Sequence, residues 1–276
     1  MTSTVKRVLT TVIGLPLIFT LVFFLPQYNH LALFIFIILM IAGGTYEMYT
    51  MLKKKSSPSP FMFLAPVFPI IQFFSGVENT EFSFYLFIFL SMLVLAVEVF
   101  RGAKDNFDSA LSQGAYTVLG LFYPGLLSIF FVDILFLENA TAYILFFLVL
   151  VFGSDTFAYL IGMALGKNNS GFVKVSPKKS IAGFVGGLVF PALFGILAPV
   201  LFPSMFLFTK VQGLFIGLAT AIFAEIGDLI ESAIKRSAGV KDSGFIIPGR
   251  GGILDSIDSI LVATAPFIIL VNLFIL

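Results

Sequence analysis

Asp228, Asp255 and Asp258 are the residues whose type and spacing most clearly promise chemistry. Asp228 lies in a run with Glu225, Glu231, Ser232 and Lys235, and at spacings of three and four these share one helical face. Asp255 and Asp258, three residues apart, share a face of the next helix. No cation stands near Asp228 on its own face. Carboxylates gathered this way resist full ionisation unless a cation sits among them. Hard oxygens suit Mg²⁺, which takes one or two carboxylates and completes its shell with water and substrate phosphates.

Between those helices runs KRSAGVKDSGFIIPGRGG, Lys235 to Gly252, which holds Arg236, Lys241, Asp242, Arg250 and Gly251. Its four cations and five glycines let backbone amides and basic side chains converge on an anion. A second such segment is KVSPKKS, with Lys178, Lys179 and Ser180 ahead of Gly183, Gly186 and Gly187. Asp155 stands in an apolar stretch, on one face with Tyr159, Gly162 and Gly166. Plainer readings exist for some of these. Glu231 and Lys235 pair at i and i+4, one aspartate at a helix start is a cap, and Gly162 and Gly166 pack helices. Carboxylates and phosphate-binding cations in one place imply metal-assisted phosphoryl transfer.

The elements that must position these groups are membrane helices. Of 276 residues, 59% are hydrophobic and 11% charged, against about 25% charged in soluble domains. Apolar runs at 8–26, 31–52, 61–76, 82–100, 110–132, 141–165, 181–203, 211–234 and 253–275 predict an all-α polytopic integral membrane protein of about nine spans. The third is short and carries Pro66 and Pro69. Nine crossings with a cytoplasmic N-terminus put fifteen of the sixteen Lys and Arg on one side, Lys210 excepted. Glu78, Glu81, Asp133, Glu138 and the single His30 fall opposite. Lys53, Lys54 and Lys55 read as an anchor beside anionic headgroups. The N-terminal run reads as a first span, with no cleavage site of the signal-peptide kind.

Several functions are excluded. Without cysteine there are no disulfides or thiolate sites, and one histidine leaves zinc hydrolysis and Ser-His-Asp catalysis without ligands or base. A net charge of +1 gives no sign of nucleic-acid binding. Gly162 to Lys167 falls one residue short of P-loop spacing and follows a span, not a strand.

Ser232-Ala233-Ile234-Lys235-Arg236, Lys241-Asp242, Pro248-Gly249, Gly251-Gly252, Asp255 and Asp258 resemble the signature of phosphatidate cytidylyltransferases, also called CDP-diacylglycerol synthases. The resemblance extends through Gly227-Asp228-Leu229-Ile230-Glu231, Ser176-Pro177-Lys178-Lys179-Ser180 and Asp155-Thr156-Phe157-Ala158-Tyr159, and so covers roughly 150–260. It implies a dimeric integral membrane enzyme that joins CTP and phosphatidic acid and needs a divalent metal, Mg²⁺ or Mn²⁺, with a second cation conceivable. On this reading Asp228, Asp255 and Asp258 hold metal. Lys235, Arg236, Lys241, Lys178 and Lys179 hold phosphate oxygens, while Ser180, Ser232, Glu231, Asp155, Asp242, Gly251 and Gly252 complete the substrate site. Residues 1–140 would be scaffold and 141–276 catalytic, in a bacterial inner membrane with the site facing the cytoplasm.

Three positions depart from the family pattern: Arg250 for histidine, Ser256 for arginine and Ala182 for glutamate. The rival readings are a CTP-dependent polyprenol kinase, which would move the γ-phosphoryl group, and a secondary transporter with an intramembrane carboxylate site. If Arg250 restores the missing positive charge, Arg250→Ala raises the apparent KM for CTP or lowers kcat; unchanged kinetics would rule that role out.

Overall fold

Proline and glycine punctuate the chain into ten α-helices among the described residues. They are α1 (Ser3–Phe23), α2 (Gln27–Leu52), α3 (Val67–Ser75), α4 (Thr80–Gly102) and α5 (Ala110–Gly120), then α6 (Ile129–Ile134), α7 (Ala140–Leu165), α8 (Ile181–Leu201), α9 (Lys210–Ser237) and α10 (Leu254–Ile275). The computed structural model describes residues 3–103, 105–249 and 251–275, with side chains at residue 10 and from residue 12 onward. Lys104 and Arg250 lie outside the described residues.

Seven helical stretches are long and apolar enough to cross a bilayer: Gln27–Leu52, Val77–Gly102, Ala110–Ile134, Ala140–Leu165, Ile181–Leu201, Lys210–Ser237 and Leu254–Ile275. The protein is an all-α, polytopic integral membrane protein. At the first and third expected spans stand shorter apolar helices, Val12–Phe23 and Pro60–Ser75. Proline explains the third: a 3₁₀ turn, Pro60–Leu64, ends before Pro66, and α3 supplies only nine more residues. In α2, Tyr28, Asn29 and His30 are left-handed, so the regular helix begins where the sequence places its span. Pro124 sits in a π turn, Leu121–Gly125, that joins α5 to a 3₁₀ turn and α6.

The chain divides into two units, Met1–Phe136 with Ser237–Ile257 and Leu137–Arg236 with Asp258–Leu276. In the first, Phe68, Leu90, Val94, Leu121, Leu126 and Ile129 form a buried cluster. Beside it, buried Gln72 uses both ends of its amide. Its Nε2 donates to Thr80 Oγ1 at 2.7 Å and Asp133 Oδ1 at 2.6 Å, and its Oε1 accepts from Ser83 Oγ at 3.1 Å. Hydrocarbon offers no partner for such groups, so they must satisfy one another. Asp133, expected in a loop, is therefore drawn into the end of α6.

In the second unit α7 packs along α8. Lipid tails remove the usual hydrophobic advantage of helix contact, so close packing by small residues drives association instead. A Cβ on Gly162 would stand 3.5 Å from the Gly183 Cα, which is the packing role expected of this glycine. Against α9 the approach is closer still, because a Cβ on Gly217 would lie 2.2 Å from the Pro191 carbonyl oxygen. Phe146 packs at 5.0, 5.7 and 6.0 Å between ring centroids on Phe206, Phe208 and Phe267. Since backbone blocks position 217, Gly217→Val should cost about 1–3 kcal/mol or more. Gly14, with nothing within 4 Å, should accept valine within about 0.5 kcal/mol. Thermal melts of both variants in detergent check this.

Candidate functional site

The acidic face read from α9 forms, but its charges are held in different ways. Glu225 is 3% exposed, Glu231 fully buried and Asp228 half-buried. Lys235 reaches back to Glu231, the i, i+4 pair expected from spacing. Asp228 does have a cation, which comes from the loop before α8: Lys179 Nζ lies 2.7 Å from Asp228 Oδ2 and 2.5 Å from Glu225 Oε2. Spacing within α9 gives no hint of it. Burial alone would lower the Lys179 pKa, but Asp228 and Glu225 outweigh it and hold the ammonium above its usual 10.5. Its stabilising share is therefore complete below that pH and is lost only as pH rises through the higher folded value.

The Lys179 loop is itself tied down. Gly171 N donates to Lys179 O at 3.0 Å, Lys179 N to Ser176 O at 3.0 Å, and Ile181 N to Asn169 O at 3.1 Å. Ser180, a candidate phosphate contact, caps α8, its Oγ accepting from Gly183 N at 3.0 Å. Lys178 is exposed.

Asp258 meets this face because α9 and α10 cross at a glycine. A Cβ on Gly227 would stand 2.7 Å from the Asp258 carbonyl oxygen and 3.0 Å from the Ser259 Cα. The crossing puts Asp258, 7% exposed, within Coulombic reach of Glu231, Asp228 and Asp155. Its Oδ1 accepts from Ser259 N at 2.6 Å. Four acids from three helices, Asp155, Asp228, Glu231 and Asp258, thus stand near one another in the second unit, Asp155 at the exposed side. Among the described residues no three His, Asp or Glu side chains stand as a ready metal cluster. An Mg²⁺ shell of one or two carboxylates, water and phosphate oxygens still matches these hard donors.

Asp255 belongs to the first unit, where its work is visible. Asp255 Oδ2 accepts from Gly252 N at 2.7 Å, Ser243 N at 3.0 Å and Ser243 Oγ at 2.9 Å. This is the cap the spacing allows, extended into a clamp on the preceding loop. Ile247 and Gly251 exchange backbone hydrogen bonds of 3.0 and 3.1 Å around Pro248-Gly249. Gly249 and Gly251 have φ of 81° and 113°, so the motif's glycines build this turn. Thr10 Oγ1 holds the turn from α1, donating to Pro248 O at 2.6 Å.

Two residues that the motif reading passes over complete the clamp. Glu47 Oε2, from α2, accepts from Ser243 Oγ at 3.0 Å and Leu254 N at 2.9 Å. Glu47 is the only acidic residue between Gln27 and Leu52, a signal available to any search for charge inside apolar runs. Ser243 carried none. Beside the clamp opens a cleft of about 680 Å³ lined by Tyr46, Thr50, Lys54, Lys241, Asp242 and Phe245. Lys241 and Asp242 thus come together there. Lys54, read only as an anchor, joins them. Ser232 is partly buried and Arg236 exposed, both on α9.

The profile of the Cytidylyltransferase family matches residues 5–274. The chain belongs to this family. Among its relatives, a phosphatidate cytidylyltransferase of Bacillus subtilis is 33% identical over 82% of this chain and 84% of its own. One of Staphylococcus haemolyticus is 33% identical over 92% and 93%. One of Staphylococcus aureus is 38% identical over 62% and 63%. Family membership thus extends well beyond the stretch that carries the signature.

Removing the Lys179 ammonium would leave two carboxylates facing each other. Lys179→Met should destabilise the protein by about 3 kcal/mol, and Lys179→Arg by much less. Detergent melts at pH 7 give the comparison.

Proposed function

We propose that the protein transfers CMP from CTP to phosphatidic acid, giving CDP-diacylglycerol and pyrophosphate for phospholipid synthesis. The observation that carries the reading is the family match along nearly the whole chain, to relatives named for this reaction, together with the acids of α7 and α9 that stand close to buried Asp258. A phosphate oxygen of the lipid attacks the α-phosphorus of CTP, and the bond to the β-phosphate oxygen breaks as pyrophosphate leaves. Attack by a phosphate anion needs no strong base, so the protein's work is positioning and charge neutralisation.

Asp228 and Asp258 would hold Mg²⁺ or Mn²⁺, with Asp255 one helical turn earlier as the third acidic group and a second cation part of the reading. Such an ion supplies charge neutralisation at the phosphate oxygens. Asp155 and Glu231 shape the field around Asp258, and Lys179 and Lys235 offset part of it. Arg236, Lys241, Lys178 and Arg250 present cations to the triphosphate and the lipid phosphate, arginine being suited to two-point contact. Ser232, Asp242, Gly251 and Gly252 would contact the substrates, and Ser180 holds the start of α8.

The site faces the cytoplasm of a bacterial plasma membrane and works in a homodimer. The charge asymmetry of the loops supports that orientation, which requires both shorter apolar helices to cross. CTP arrives from water while both acyl chains stay in lipid.

Purified protein with labelled CTP, phosphatidate and Mg²⁺ should release pyrophosphate and form a CDP-lipid. Release of CDP with a phosphorylated lipid would instead identify a kinase. EDTA should abolish turnover, and Mg²⁺ or Mn²⁺ should restore it. Asp258→Asn should lower kcat by about 100-fold or more with the melting temperature retained; near-normal turnover would refute the assignment.

A further inference from the structure

Glu47 is 3% exposed, lies outside every motif, and receives two hydrogen bonds from the signature segment. The segment is shaped around it. A Cβ on Gly252 would stand 2.3 Å from Glu47 Oε2, and one on Gly244 would stand 2.1 Å from Glu47 Oε1. Glycine at both positions therefore lets the loop close over this carboxylate.

The hydroxyl between the two acids is the informative group. Ser243 Oγ carries one proton and has two carboxylate oxygens in reach, Glu47 Oε2 at 3.0 Å and Asp255 Oδ2 at 2.9 Å. It also accepts from Asp255 N at 3.3 Å. Asp255 Oδ2 already receives two amides, from Ser243 and Gly252. When the hydroxyl donates to Glu47 it ties the loop to α2, and the amides of Ser243 and Gly252 are held where they meet Asp255. Without either Glu47 or the hydroxyl that tie is lost, and the loop no longer sets the position of Asp255.

We infer that Glu47 is a positioning residue: through Ser243 it holds the loop that fixes the carboxylate of Asp255 for metal-assisted CMP transfer. The inference rests on the function proposed above. Glu47 touches no substrate in this role, and its effect reaches the reaction through Ser243 and Asp255.

The test uses the full-length protein in detergent. Glu47→Ala should lower kcat and raise the half-saturating Mg²⁺ concentration, each about 10-fold, with KM for CTP within about twofold. Ser243→Ala should share that loss, and the double variant should be no worse than the weaker single one, because the two act in series. Glu47→Gln, which keeps an oxygen to accept both bonds, should recover most of it. In EDTA, amide hydrogen exchange at Gly252 and Leu254 should quicken about 10-fold in Glu47→Ala while α4 amides are unchanged.

Additive losses, a glutamine variant no better than alanine, or an Mg²⁺ half-saturation equal to wild type would each overturn the inference. So would a loss of activity that only follows the fraction of unfolded protein. Where the alanine variant does not fold, Mg²⁺ half-saturation in Glu47→Gln and Ser243→Ala is compared instead: a rise in the serine variant alone supports the inference, and no rise in either overturns it. Wild-type protein that makes no CDP-lipid overturns the proposed function alone, and amide exchange still decides whether Glu47 holds the loop.

Discussion

A carboxylate carried on an apolar helix is tolerable only where the chain itself answers its charge and its hydrogen bonds. Water is too scarce between the helices to do so. In this protein the answers come from groups distant in sequence. Lys179 reaches Asp228 and Glu225 from the loop before α8, and Lys235 reaches Glu231 from the next turn of α9. Glu47 and Asp255 are met by the amides and hydroxyl of a single loop. The close crossing at Gly227 follows from the same need, because only a residue without a side chain lets α9 bring its acids to Asp258.

The two loops that bear the family's motifs are therefore built, and not merely strung between helices. The segment before α8 is closed by its own backbone hydrogen bonds and ends in the Ser180 cap. The segment before α10 is pinned by α1, α2 and α10 through Thr10, Glu47 and Asp255. In the proposed function such fixing would lower the entropic cost of arranging cations around a triphosphate, since less freedom remains to be lost on binding.

Much of this was legible in the sequence, for a physical reason. Bilayer thickness sets helix length, so apolar runs located the long spans to within a few residues, and helical spacing put Glu225, Asp228, Glu231 and Lys235 on one face. Where proline competes with hydropathy, as at Pro60–Ser75, the apolar run is divided into a 3₁₀ turn and a short helix, which hydropathy does not foretell. What spacing does not carry is the pairing of residues far apart. Lys179 read as a phosphate ligand because its carboxylates lie about fifty positions away. Glu47 was visible as an acid in an apolar run, but its partner Ser243 is an ordinary loop serine until the loop has folded.

Asp255 Oδ2 ties the first turn of α10 to Gly252 and Ser243 of the preceding loop. One oxygen therefore answers for both the start of the helix and the shape of the loop. Unwinding that turn would let go of the loop as well, so the two should fray as one cooperative piece.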